Sequence, residues 1–357
     1  FPGDPNETKV VHDIEVILQD PEISIVCETM GGNEPAYTFS KRALEAGKSV
    51  CTSNKELVAN HGAELLRLAR ENRCNYFFEA SVGGGIPIIR PINDCLTAER
   101  IVEVSGILNG TTNYILTKME QEGMLFEEAL GQAQALGYAE RNPEADVEGY
   151  DACRKIAILT SLVAGKTVDF HKIHTEGISG IDPTDFAYAK KLDATIKLLA
   201  VSRETEDGYQ ISVAPYLLKK ENALAGVNDV FNAVAVCGNT LGDTMFYGRG
   251  AGKLPTASAV VADVVECARH LQKTVGCLWE EGEAKVADFD SQEGRFFVRV
   301  LKKARADVEK VFGAVVPVVL DSALEEFAFV TESMQEAEFE KCREQIFGFV
   351  KKIRIKD

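Results

Sequence analysis

The chain has 357 residues, 45% of them hydrophobic and 26% charged, which is too long for one ordinary core and points to two or three globular domains. A formal net charge of −16 leaves no basic surplus to neutralise phosphates, so a nucleic-acid partner is not expected, although a small anionic ligand needs only a local positive site. Nine cysteines lie singly between Cys27 and Cys342, as free thiols in a reducing compartment do. No apolar run reaches membrane-span length, so no membrane partner is expected. Phe1–Glu7 does not read as a signal peptide, and a cytoplasmic protein is expected. On that reading the Asn-x-Thr triplets at Asn6 and Asn109 are chance matches rather than glycan sites.

The first segment alternates in α/β fashion. Residues 13–19 read as a helix and 23–28 as a short buried strand ending before Gly31-Gly32. Residues 34–46 read as a helix stopped by Gly47, 49–52 as a strand, 62–71 as a helix and 76–79 as a third strand. Strands alternating with amphipathic helices imply a Rossmann-type parallel sheet. No strand followed by G-x-G-x-x-G precedes residue 23, so this sheet is expected to be partial, its N-terminal part missing. From about Pro91 to Tyr247, strands at 101–108 and 209–217 mix with long helices, including a buried pattern over 155–165, in an α+β domain. Residues 254–275 read as one long amphipathic helix. The end reads strand, helix, strand, strand, helix, strand over 296–301, 306–312, 315–320, 326–331, 336–347 and 349–355, the ferredoxin-like βαββαβ order.

Four clusters carry chemistry. Thr52-Ser53-Asn54-Lys55 follows a strand, where ligands of open parallel sheets sit, and Lys55 there reaches a phosphate, a carboxylate or a reacting oxygen unless it is simply a solvated loop lysine. Glu79-Ala80-Ser81-Val82-Gly83-Gly84-Gly85-Ile86-Pro87 offers a carboxylate and inward carbonyls for a hard or monovalent cation, or else forms a tight interdomain turn. Gly106 to Tyr114 places Gly110, Thr111 and Thr112 at a helix start, as a carboxylate seat or as an ordinary Thr or Asn cap. Gly137 to Lys155 is the densest. A helix ends at Gly137, an acidic loop follows, and a new helix sets Asp151 and Lys155 at i, i+4 on one face. A surface ion pair is the usual reading of that spacing. The apolar continuation through Ile156, Ala157 and Leu159 favours a partly buried, tunable lysine instead. Three other matches carry less. Ala164-Gly165-Lys166-Thr167 lacks the first glycine of a P-loop, His171 and His174 have no companion ligands for zinc, and Gly248 to Lys253 lacks the dinucleotide spacing.

In this order, Thr52–Lys55, Glu79–Pro87, Gly106–Tyr114, Gly137–Lys155 and Gly248–Thr256 resemble homoserine dehydrogenases. The resemblance runs from about residue 20 to 280, and the closing segment resembles the regulatory ACT domain of many bacterial members. It implies nicotinamide-dependent reduction of L-aspartate 4-semialdehyde to L-homoserine, a step of threonine, methionine and isoleucine biosynthesis, with NADP or NAD as cofactor. The proton-donor lysine is implied at Lys155 and a second active-site lysine at Lys55. Glu140 and Asp151 are implied to hold the substrate amino group, with Thr111, Tyr138 and Asp146 lining the same pocket. Gly31, Gly32, Lys55, Gly137 and Gly250 are implied cofactor contacts. Glu79 with the carbonyls of Val82, Gly84 and Ile86 is the implied site for sodium or another monovalent cation. A homodimer or homotetramer is implied, acting on a small-molecule substrate. The domains so implied are 1–90 with 248–284 for the nucleotide, 91–247 for substrate and dimerisation, and 292–357 for the ACT-like unit.

Two departures stand out. The glycine fingerprint is absent, so these residues alone are expected to bind cofactor poorly. ACT effector loops carry Asp-x-x-Gly after the first strand, whereas here Lys302-Lys303-Ala304-Arg305-Ala306-Asp307 has no glycine, which argues against threonine binding. Two rivals follow. A semialdehyde-type dehydrogenase needs a catalytic cysteine at a strand-to-helix turn, a context that Cys51 and Cys153 lack. A non-catalytic regulatory or dimerisation subunit of the same family fits the missing fingerprint but leaves Lys155, Asp151 and Glu140 unexplained.

Overall fold

The computed structural model describes residues 9–277, 279–320 and 324–356. Phe1–Glu7 and the Asn6 triplet lie outside the described residues. The first unit comprises α1 (Ile14–Leu18), β1 (Ile25–Glu28), α2 (Ala36–Glu45), β2 (Ser49–Thr52), α3 (Lys55–Glu71) and β3 (Tyr76–Phe77). Its three strands pair in parallel in the order β1-β2-β3, as alternating strands and helices require. Helix α3 starts seven residues earlier than the sequence suggests. Asn54 accepts the Leu57 N–H as its N-cap, so Lys55 is not a loop residue but the first residue of a helix.

The middle of the chain contains β4 (Ile101–Ile107), α4 (Gly110–Glu122), α5 (Phe126–Ala135), α6 (Glu144–Val147), α7 (Tyr150–Ala164), β5 (Lys166–Thr167), β6 (His174–Thr175), α8 (Pro183–Lys191), β7 (Ala194–Thr205), β8 (Gly208–Lys219), β9 (Phe231–Gly238) and β10 (Gly242–Arg249). Helix α9 (Lys253–Arg269) returns to pack on β1, β2 and the turn at Glu79. It stops six residues before the expected end. The Asn75 side chain bonds the carbonyls of His270 and Lys273 and the N–H of Val275, fixing those residues as a turn.

The chain closes with β11 (Glu280–Glu283), β12 (Glu293–Leu301), α10 (Arg305–Phe312), β13 (Glu326–Val330), β14 (Met334–Gln335), α11 (Glu336–Arg343) and β15 (Phe349–Lys356). The strand expected at 315–320 is reduced to one bridge, Val318 to Ala328, because Pro317 has no N–H to give a ladder. The main sheet runs β10-β9-β4-β7-β8-β15-β12-β13. A parallel β8-β15 seam thus makes the closing segment continuous with the middle one. The fold is mixed α/β, a parallel sheet beside a large mixed sheet. Among the described residues no helix is long and apolar enough to cross a membrane.

Candidate active site

Three elements converge on one carboxylate. Asp151 and Lys155 lie on α7, one turn apart, and both are buried, 5% and 8% exposed. Lys155 Nζ donates to Asp151 Oδ2 at 2.7 Å and to the Leu108 carbonyl at 2.8 Å. Lys55, at the start of α3, reaches Asp151 Oδ1 at 2.9 Å. Asn109, the N-cap of α4, donates its amide to Asp151 Oδ2 at 2.8 Å and to Asp146 Oδ1 at 2.7 Å. The i, i+4 pair of α7 is therefore a buried pair, not a surface one, and a second lysine joins it from the parallel-sheet unit.

The electrostatics follow from this packing. Burial pushes the Asp151 carboxyl up, but the two ammonium groups outweigh it and hold the carboxyl well below the usual range. Burial pulls Lys55 down, and Asp151 more than reverses that, so Lys55 lies above the ordinary lysine value. Asp146 is raised by burial and by the Asp151 charge. Two lysines and one ionised carboxylate thus share a floor that is buried at Asp151 and Lys155 and open at Lys55, where a developing negative charge on a third partner is stabilised.

The other expected residues fall around this floor with different degrees of engagement. The Thr111 hydroxyl donates to the Tyr138 carbonyl at 2.7 Å, and the Tyr138 ring packs edge-on to Tyr114. Glu140 is exposed; its backbone carbonyl accepts from Gln134, and its carboxylate forms no ion pair within the cluster among the described residues. Gly137, in the left-handed region at φ 75°, ends α5 and returns its N–H to the Gln134 carbonyl. Its evident task is a helix stop. Gly31 and Gly32 lie beyond β1 with open space where a side chain would stand, and Asn54 Nδ2 donates to the Gly32 carbonyl at 2.7 Å. That links the loop to the start of α3. The backbone there is open to close approach by a dinucleotide.

The Glu79 side chain is engaged by the backbone of its own loop. Its carboxylate accepts the N–H groups of Ile88, Ile89 and Arg90 at 2.6, 2.8 and 2.9 Å, plus Arg90 Nε at 3.3 Å. It caps the following helical turn rather than pointing free carboxylate oxygens at a cation. Among the described residues no group of three or more His, Cys, Asp or Glu is placed to hold a metal ion. The glycines after Glu79 pack on the loop beyond β10: a Cβ on Gly84 would come within 2.5 Å of the Gly250 carbonyl.

Sequence reasoning missed Asn109 as a site residue, although a polar side chain just before a helical run is an N-cap signal. Asp263 on α9 was missed too. It accepts the Glu79 N–H at 3.0 Å, and burial raises its carboxyl to about 7. All nine cysteines are free, and Cys51 and Cys267 place their sulfurs 3.5 Å apart in the core.

Comparison with known proteins places the chain in a family. Residues 87–265 match the homoserine dehydrogenase family model and residues 4–79 the homoserine dehydrogenase NAD-binding domain. The chain is 39% identical over 341 residues to the homoserine dehydrogenase of Bacillus subtilis, covering 90% of this chain and 78% of that protein. It is 49% identical to the Synechocystis enzyme over 71% of this chain and 59% of that protein, so it spans less than two thirds of the latter. The crystal structure of a homoserine dehydrogenase from Thiobacillus denitrificans superposes with a TM-score of 0.88 at 34% identity, covering 97% of this chain and 85% of that one. A hyperthermophilic archaeal homoserine dehydrogenase in complex with NADPH gives 0.64 at 31% identity, covering 74% and 77%. The buried lysine–carboxylate floor therefore sits in a member of the homoserine dehydrogenase family, a family of NAD(P)-dependent oxidoreductases.

Proposed function

We propose that this chain interconverts L-aspartate 4-semialdehyde and L-homoserine with NADP or NAD, in the cytoplasm and as a homodimer or homotetramer. The observation that carries the reading is Asp151 held by Lys155 and Lys55 on opposite oxygens, at 2.7 and 2.9 Å. The nicotinamide, when bound, supplies the electron pair and hydrogen that reduce the aldehyde carbon. Lys155 stabilises the charge that builds on the carbonyl oxygen and hands it a proton, leaving the alcohol and a neutral amine that regains its proton from solvent. Its second bond, to the Leu108 carbonyl, fixes the ammonium in place. Lys55, with its side chain 41% exposed, is the partner that yields when a substrate ammonium takes its place on Asp151. Glu140 turns in to share that ammonium, and Tyr138 and Asp146 wall the pocket. The substrate carboxylate goes to Thr111 and the start of α4. Gly31 and Gly32 face the dinucleotide from one side and Gly250 from the other, with Gly137 bordering the same cleft.

The cation belongs to this reading in altered form. The carbonyls of Val82, Gly84 and Ile86 accept no hydrogen bond among the described residues, whereas the Glu79 carboxylate is already saturated. The carbonyls are the fitting donors for sodium, with Glu79 holding the loop's frame. Replacing sodium by tetramethylammonium, too large for such a loop, should lower the melting temperature; an unchanged melting curve would remove the cation from this reading. Residues 292–357 are assigned as an ACT-like regulatory unit, 91–247 as the substrate and dimerisation domain, and 1–90 with 248–284 as the nucleotide domain. Supporting the first is the antiparallel order β15-β12-β13 backed by α10 and α11.

The decisive experiment is homoserine-dependent reduction of NAD(P)+ by the purified protein and its Lys155→Ala variant. Turnover should fall by at least about 100-fold, the scale for losing a general acid, while cofactor affinity is retained. Near-normal turnover of the variant would overturn the role of Lys155.

A further inference from the structure

Helix α4 opens beside the lysine–carboxylate floor. Its N-cap Asn109 serves the N–H groups of Thr112 and Asn113. Those of Gly110 and Thr111 have no acceptor among the described residues, as the first turn of a helix leaves them. Packed against Gly110 stands Asn232 on β9. It is 0% exposed, yet neither its Oδ1 nor its Nδ2 has a hydrogen-bond partner among the described residues. Two glycines make room for it. A Cβ on Gly250 would lie 2.1 Å from the Asn232 Cγ and Nδ2, and a Cβ on Gly110 would lie 3.3 Å from its Oδ1.

A buried amide without partners costs about 1–3 kcal/mol. A leucine has nearly the same shape, with two methyl groups where the amide has oxygen and nitrogen, and would avoid that cost. Instead a polar group stands here with two side chains cleared away from it, at the junction of the helix that opens beside Asp151 and the loop that packs on Gly84. An uncompensated polar group is expected where binding, not stability, selects the residue.

We propose that Asn232 is a binding residue for the amino-acid substrate: its Oδ1 faces Gly110 and its Nδ2 faces Gly250, and a half-turn of this unpartnered amide exchanges the two, so that Nδ2 donates to the substrate carboxylate seated at the start of α4 beside the Gly110 and Thr111 N–H groups. The carboxylate enters by parting Gly250 from Gly110, and the contact point needs both to be glycine. This rests on the homoserine dehydrogenase reading and names a residue that this reading does not include.

The test is calorimetric titration of L-homoserine and, separately, of NADP+ into the wild-type protein, Asn232→Leu and Asn232→Asp, with thermal melts of each free protein. Wild type must first bind homoserine; if it does not, the functional reading fails and this inference with it. Given wild-type binding, Asn232→Leu should melt no lower than wild type yet bind homoserine at least about 10-fold more weakly, the loss of one hydrogen bond to a charged group. NADP+ affinity should stay within about twofold. Asn232→Asp preserves shape and sets a negative charge against the carboxylate, so it should weaken homoserine at least as much and keeps the test open if the leucine variant fails to fold. Unchanged homoserine affinity in a folded variant, or a loss confined to NADP+, overturns the proposal.

Discussion

Asp151 shows how one side chain combines opposing effects. Burial alone would favour its neutral form, but two ammonium groups within 3 Å reverse the balance. Its folded-state carboxyl lies below the ordinary value of 3.8, so its contribution to stability is fully present above about pH 4 and is lost as pH falls further. Asp151→Asn should therefore destabilise the protein by about 3 kcal/mol at pH 7, because it leaves buried ammonium charge unpaired. Urea unfolding at pH 7 and at pH 3 checks this: the gap between wild type and variant should narrow at the lower pH. A constant gap would mean that the carboxylate charge is not what the lysines respond to. The type and spacing of Asp151 and Lys155 were legible in the sequence. The pairing of Lys55 with them was not, because it joins residues almost a hundred positions apart.

At the scale of elements, α9 ties the parallel sheet to the turn at Glu79 through Asp263. This carboxyl is 1% exposed, and burial raises it from 3.8 to about 7, although Arg90 lies 3.5 Å away and the Glu79 N–H bonds to it. A raised carboxyl works in the opposite sense to Asp151. Folding is favoured most below about pH 4, and the contribution is lost as pH rises through about 7. Asp263→Asn retains an acceptor for the Glu79 N–H and cannot ionise. Its stability relative to wild type should therefore improve by about 3 kcal/mol between pH 4 and pH 8, read by denaturant unfolding across that range. A parallel course of the two proteins would show that Arg90 neutralises the carboxylate after all. The helix itself was visible as an apolar pattern, whereas its end was not, since Asn75 sets it from a distant strand end.

Across the whole molecule, the closing segment is clasped to the middle one by charge as well as by the β8-β15 ladder. Arg299, 4% exposed, bonds Asp182, Asp185 and Glu326 at once. Lys351 reaches Asp182 and Asp185, and Arg354 joins Glu176 to Glu336. Burial would raise Asp182 and Glu176, yet their cationic partners draw both down to about 2, so the clasp holds at neutral pH and loosens only in strong acid. Arg299→Met should destabilise by about 3–5 kcal/mol, since it strands Glu326 at 8% exposure and leaves the buried Asp185 to Lys351. Chemical denaturation should show that loss, and a change below about 1 kcal/mol would mean that the carboxylates are relieved by water instead.

The same segment marks the boundary between what sequence and tertiary structure each determined. Local pattern was enough for the parallel alternation of β1 to β3, for the buried helix at Lys155, and for the closing strands and helices other than the strand expected at 315–320, because periodicity, caps and glycine stops act within a few residues. Motif order alone was enough for the family. Tertiary structure decided what depends on long-range proximity: Asn109 and Lys55 meeting on Asp151, the Glu79 carboxylate turning into a helix cap, and Asn232 lodged between two glycines. It also decided that β15 pairs with β8 and fuses two expected domains into one sheet. Hydrogen-bond partners and burial are properties of the packed chain, and the energy of a buried charge is set by whichever residue the fold brings within about 3 Å of it.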